Sequence, residues 1–132
     1  MAIFDGQKPL KLVGAIAGSG LSASTAAYRF VKFSADNTVV LCSGTTDIPC
    51  GVLQAPAPAG DPVEVVVIGQ TFLQADASIS VPGVIATSAD GQAQTAVSTQ
   101  YVAGQAVSIA GGTAAGNLIS AVVNCAAPSI KA

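Results

Sequence analysis

The chain has 132 residues, enough for one domain with a core of modest size. With 5 basic residues, a net charge of −2 and no histidine, it lacks the basic stripe that a nucleic-acid partner requires and has no imidazole for catalysis or metal binding. Only 9% of residues are charged, against roughly 25% in ordinary soluble domains, so much of the surface is expected to be covered by other chains. A soluble Ala/Gly-rich domain dispersed by Ser, Thr and Gln is the plainer alternative.

Apolar residues make up 51% of the chain, yet aromatics only 5%, with no Trp. The core is therefore expected to be built of Val, Ile, Leu and Ala, with Tyr28, Phe30, Phe33 and Phe72 as its few large pieces. No apolar run approaches the roughly 18 residues of a membrane-spanning helix, so no membrane is expected as a partner. Cys42, Cys50 and Cys125 are an odd number at no zinc-like spacing. Free, half-buried thiols in a reducing cytoplasm are the expectation, with a Cys42–Cys50 bridge across a hairpin left open.

Residues 1–24 differ in composition from the rest. They hold Lys8 and Lys11, a proline at position 9, and Gly, Ser and Ala from Gly14 onward, without a sustained period of 2 or 3.6. Two readings stand: an extended arm ordered only by the surface it lies on, or an edge strand over residues 10–13. Residues 10–18 faintly imitate a secretion signal, but Gly14 and Gly18 interrupt the apolar stretch and no secretion is expected.

The body, residues 25–132, begins near Thr25. Tyr28, Phe30 and Lys32 alternate with Arg29, Val31 and Phe33, as in a half-buried strand. Asp36-Asn37 turns the chain into a strand over 38–42, since Asn tolerates positive φ. A short strand over 51–54 precedes a loop over 55–60, where Pro56 and Pro58 remove ladder donors. Residues 63–68 are the strongest strand: β-branched almost throughout, and expected to be buried on both faces or flanked by partner strands. Residues 71–74 continue it past a bend at Gly69.

Pro82-Gly83 marks a turn before a strand over 84–87, and Asp90-Gly91 suits a type I′ hairpin turn. Weaker strands are expected over 92–96, 106–109 and 118–123, with a loose tail over 126–132. One short helix at most fits the alanine-dense residues 23–27.

Much of this is said twice. Residues 34–69 begin Ser34-Ala35-Asp36-Asn37, pass through Gly51-Val52-Leu53 and end on Val63-Glu64-Val65-Val66-Val67. Residues 88–124 begin Ser88-Ala89-Asp90-Gly91, pass through Gly104-Gln105-Ala106-Val107 and reach Ile119-Ser120-Ala121-Val122-Val123. Matched positions lie roughly 54 residues apart, drifting at the turns, where insertions cost least. The reading is an all-β fold, a small barrel or sandwich of two related hairpin units behind an extended N-terminal arm.

Nothing in the sequence suggests catalysis. Glu64 lies mid-strand, where a solvated carboxylate is the ordinary reading, and Asp36 and Asp90 occupy turns. Gly18-Ser19-Gly20 and Gly111-Gly112-Thr113 lack the Gly-Lys-Ser/Thr of a phosphate loop. The acids are too scattered for calcium. No enzyme activity, cofactor or metal is expected.

The phrase Asp36-Asn37, Gly51-Val52-Leu53, a small-residue turn over 57–60, then Val63-Glu64-Val65 resembles the capsid decoration (cement) proteins of tailed bacteriophages, over about residues 25–124. The second copy departs from it, with Ser120 and Ala121 in place of the Val/Glu phrase. The resemblance implies a small β-protein, assembled in the host cytoplasm, on the outer surface of the virion head. Its partners would be the major capsid protein and itself, as a homotrimer or alternatively a dimer, clamping neighbouring capsomers. On this reading Thr71, Phe72 and Leu73 are the candidate subunit interface. Phe4, Leu10, Leu12 and Val13 anchor the arm on the capsid, with Lys8 and Lys11 as polar contacts. The alternative is a polymerising structural protein of a phage tail, fibre or surface layer. A carbohydrate-binding sandwich is disfavoured because only Tyr28 and Tyr101 could serve as polar aromatic platforms.

Overall fold

The computed structural model describes residues 9–76, 79–81, 83–109 and 116–132, and its fold is all-β. In chain order the strands are β1 (Leu10–Lys11), β2 (Ile16–Ala17), β3 (Phe30–Ala35), β4 (Thr38–Leu41), β5 (Gly51–Leu53) and β6 (Val65–Gln74). They continue with β7 (Val84–Thr87), β8 (Ala93–Thr95), β9 (Tyr101–Val102), β10 (Gly104–Ser108), β11 (Leu118–Asn124) and β12 (Ser129–Ile130). A single 3-10 turn, Ser24–Ala26, falls where alanine is dense.

Ten strands share one sheet: β1 pairs with β6, and the rest run in the order β2-β4-β3-β5-β6-β11-β10-β7-β8. The sheet does not close into a barrel; β2 and β8 end it. The tail expected to be loose is held instead by β12, which pairs with β9, and by the Lys131 N–H donating to the Gln100 carbonyl at 2.8 Å. Two-residue strands are too short to leave a periodic signature.

The repeat survives as topology. In the first unit the β3–β4 hairpin is followed by β5, which pairs with β3, and by β6, which pairs with β5. In the second, the β7–β8 hairpin is followed by β10 on β7 and β11 on β10. The sheet order is thus the same four-strand phrase read outward in both directions from the antiparallel β6–β11 pair. The registers agree as well: Val31 faces Gly51 as Ile85 faces Gly104, and Phe30 faces Val52 as Val84 faces Gln105.

The two hairpin turns differ from the tightest form. Asn37 takes φ 53° as its residue type permits, with a bulge between Phe33 and Ala35. At the second turn only Gly91 has positive φ (78°), whereas a type I′ turn needs two such residues. The expected I′ turn is replaced by a three-residue loop, because the Ser88 Oγ accepts from the Asp90 and Gln92 N–H groups and the Ser88 N–H donates to the Gln92 carbonyl.

Burial follows the two faces of each unit. On one face of the first unit, Phe30, Val52 and Val66 share a core cluster with Ile85, Ala93, Ala106 and Ala121 of the second unit. The two halves of the sheet therefore pack on each other. On the other face, Val31, Val39, Leu53 and Val65 form a second cluster with Ala17, Leu21 and Ala26. This is why residues 65–67 are apolar without a break: their strand is covered on both sides.

The N-terminal segment is correspondingly not an arm throughout. From Pro9 on it belongs to the body: β1 lies on β6, β2 lies parallel to β4, and Leu21 is fully buried. Of the two readings, the edge strand is the one formed at residues 10 and 11. The aromatic expectation also needs correcting, because only Phe30 is a core residue. Phe33 and Phe72 point outward, and Tyr28 is half-buried. Strand alternation puts Phe30 and Phe33 on opposite faces, and Phe72 opposite buried Leu73.

Candidate interaction face

The candidate subunit interface is divided by the same alternation. Thr71 and Leu73 turn inward and are buried, so they cannot meet a partner; Phe72 alone is outward, at 51% exposure. Its neighbours across the strands are Ser120 on β11 and, one step along, the paired Gln70 and Val122. The row extends through Gln105 on β10 to Val84 on β7. Val84 and Val122 are exposed large apolar side chains, and Val107 and Leu118 border them.

What marks this face is the repeat. Val84, Gln105 and Val122 correspond to Phe30, Val52 and Val66, which in the first unit are buried against the second. The second unit has no third unit to cover it. The part of the face on β10 and β11 is free of charge, since residues 91–130 contain no Asp, Glu, Lys or Arg. That uncharged run is legible in the sequence and is the signal by which the face could have been found. Its position outward was not legible, because both faces of β11 carry large apolar side chains, Leu118 and Val122 on one and Ile119 and Val123 on the other.

Of the arm residues, Phe4 and Lys8 lie outside the described residues. Lys11 is paired with Glu64 at 2.8 Å, and Leu12 packs against both core clusters. Leu10 and Val13 remain exposed, at 57% and 95%. The segment thus leaves two apolar side chains free and commits the other two positions to the fold.

Where the two units meet, the buried amide of Gln74 is completely used. Its Nε2 donates to the carbonyls of Thr25 and Ala27, each at 2.7 Å, and its Oε1 accepts from Arg29 Nε at 3.2 Å and Gln92 Nε2 at 3.0 Å. Arg29 also donates to the Asp90 carbonyl in the second hairpin turn. This polar joint holds the entry to β3, the end of β6 and the start of β8 in one arrangement. No sequence motif announces it.

The loop between β4 and β5 is pinned by Asp47, whose Oδ2 accepts from Lys32 Nζ, the Ser43 N–H and the Gly44 N–H at 2.8–2.9 Å. Partial burial pushes the Asp47 carboxyl up, but the bonds from Lys32, Ser43 and Gly44 outweigh it and hold the group below its ordinary 3.8. The bond to Asp47 likewise holds Lys32 above its ordinary 10.5. The carboxylate's contribution is therefore present above pH 3.8 and lost as pH falls through the lower folded value. The lysine's is present below pH 10.5 and lost as pH rises through its raised value. In an NMR titration the Ser43 and Gly44 amides are expected to shift together with a midpoint below 3.8, and Asp47→Asn to remove that step. A midpoint at or above the ordinary value would contradict the pinning.

All three cysteines are free thiols, so the Cys42–Cys50 bridge is not formed. Burial pushes Cys42 and Cys125 up to about 12 and Cys50 up to about 11, which leaves them protonated and poorly nucleophilic at neutral pH. Among the described residues no group of three or more Cys, Asp or Glu is placed to hold a metal ion. No family model matches the chain, and neither does any curated protein.

Proposed function

We propose that this protein is a structural, non-enzymatic subunit that decorates the outer surface of a tailed-phage head. It packs against sister copies through the face carrying Val84, Val107 and Val122. The observation that carries the reading is that uncovered face: it exposes Val84, Val107 and Val122, carries no charge on β7, β10 or β11, and is equivalent by the repeat to a face that the same chain buries. A face with no charge meets its own copy without like-charge repulsion, and its exposed valines gain from burial. The resemblance of the Gly-Val and Val-Glu-Val phrases supplies the kind of assembly, with the major capsid protein beneath and a homotrimer as the favoured oligomer.

The contact with the capsid is assigned to residues 1–8 together with Leu10 and Val13. Deletion through residue 13 would also remove Leu12 from the core, so removing residues 1–8 is the informative truncation. The purified chain is expected to be a small closed oligomer by light scattering, and Val84→Glu/Val122→Glu to be a folded monomer. The wild-type oligomer should co-sediment with undecorated tailed-phage heads assembled from their major capsid protein, and the truncated chain should not. A monomeric wild type, or one that ignores heads, would overturn the proposal. Open filaments would establish the polymerising alternative in its place.

A further inference from the structure

We propose that the groove between Tyr28 and Phe72 is a binding site for a neutral saccharide, independently of any role on a capsid. The groove has a volume of about 460 Å³, within the size range of small-ligand sites. Its walls come from β1, β5, β6, β11 and the approach to β3, and its principal side chains are Lys11, Tyr28, Gln54, Gln70, Phe72 and Ser120. The Phe72 ring is half-exposed and forms a T-shaped pair with Tyr28, with centroids 5.8 Å apart and an interplanar angle of 80°. One aromatic face is thus open and held in orientation by the other ring.

Tyr28 is itself built into place. It has φ 66°, a left-handed conformation that a bulky residue adopts only where its surroundings enforce it. Here its N–H donates to the Leu53 carbonyl at 2.6 Å, its carbonyl accepts from the Gln74 N–H at 2.9 Å, and the preceding Ala27 carbonyl is held by the Gln74 amide. The fold holds this backbone strain in order to present a tyrosine at the groove.

The polar groups around the ring define the ligand. The hydroxyls of Tyr28 and Ser120 and the amide of Gln70 make no hydrogen bond to any described residue, leaving both donors and acceptors unspent. Gln54 is held by Thr71 at 3.0 Å and shapes the floor. Among the described wall residues the one charge, on Lys11, is answered by Glu64. An anion would find no unpaired cation among the described wall residues, and a purely apolar ligand would bury those three groups without partners. A sugar ring has a C–H face for Phe72 and a rim of hydroxyls that both donate and accept. The absence of Trp argues against a broad platform, and it is compatible with a single ring-sized subsite.

The test is titration calorimetry and saturation-transfer NMR on the full chain. The panel comprises soluble neutral oligosaccharides of glucose, galactose, mannose and N-acetylglucosamine, with uronate-containing oligosaccharides as charged controls. At least one neutral sugar is expected to bind, with transfer concentrated on its C–H face. Phe72→Ala should weaken it by about tenfold or more and Phe72→Trp should retain it, as loss or preservation of a stacked ring predicts. Gln70→Ala, at an exposed position that leaves the fold intact, should weaken binding by about fivefold. Ile48→Ala, at an exposed position between β4 and β5 and outside both the groove and the interaction face, should not change it. Failure of every neutral sugar to bind, a preference for the uronates, or binding unaffected by both Phe72→Ala and Gln70→Ala would overturn the proposal.

Discussion

Gln74→Leu is expected to destabilise the protein by roughly 2–4 kcal/mol, a large share of the 5–15 kcal/mol of a typical domain. Leucine fits the volume and suits a buried position, so a burial count alone would predict a neutral change. The loss arises in the partners. The Thr25 and Ala27 carbonyls, the Gln92 amide and the Arg29 Nε each lose a hydrogen bond that Gln74 supplies, and the buried ones have no water to replace it. Gln74→Glu separates this account from simple packing. It leaves one carboxylate oxygen on Arg29 Nε and Gln92 Nε2 but sets the other, buried, against two carbonyl oxygens, a repulsion that only protonation relieves. With burial this outweighs the Arg29 charge, and its pKa rises on folding. That variant should be at least as unstable as Gln74→Leu at pH 7 and should recover as pH falls toward 4. Urea unfolding followed by circular dichroism measures both effects. A Gln74→Leu midpoint equal to wild type would show that the joint contributes nothing.

Gly104→Ala should cost about 3 kcal/mol or more, as a forced overpacking in a core strand. A Cβ there would collide with the Val122 carbonyl oxygen and sit 3.0 Å from the Val123 Cα; both are backbone atoms of β11, so no side chain can swing aside. Gly51→Ala should behave similarly, because its Cβ would meet the Val66 carbonyl oxygen at 2.6 Å as well as a Val65 methyl. The two glycines are the repeat's common device: each opens a strand whose neighbour's backbone crosses close against it. Gly60→Ala is the contrast, with open space around it and only the strain of φ 91°, worth about 1 kcal/mol. Thermal melts of the three variants rank them. If Gly60→Ala proved worse than Gly104→Ala, close strand approach would not be the reason for the repeated glycine.

Most strands were legible because their signals are local. β7 falls on residues 84–87 as the turn at Pro82-Gly83 and its β-branched pair suggest, and the Asp36-Asn37 turn forms where asparagine allows it. Gly69 bends a strand that nevertheless runs on through Gln74 as β6. What stayed illegible depends on a partner distant in sequence. β1, β2, β9 and β12 are two residues each and exist only because β6, β4 and one another accept them. Thr71 and Leu73 looked like an apolar edge until the pairing of β6 with β11 turned them inward.

By itself the sequence determined the all-β character, the duplication into two hairpin units, the glycines and turn residues that punctuate them, and the low charge. These follow from side-chain period and backbone freedom, which act over a few residues. Only the tertiary structure decided which faces are buried. The two units are alike, but the first is covered on one side by residues 15–26 and on the other by the second unit. The second is covered once, and its outer face is left to solvent. No local rule distinguishes Val66 from Val122, since both are valines on central strands. The difference is one of position: the face carrying Val66 has the second unit packed on it, whereas the equivalent face carrying Val122 lies at the end of the two-unit stack with no third unit against it.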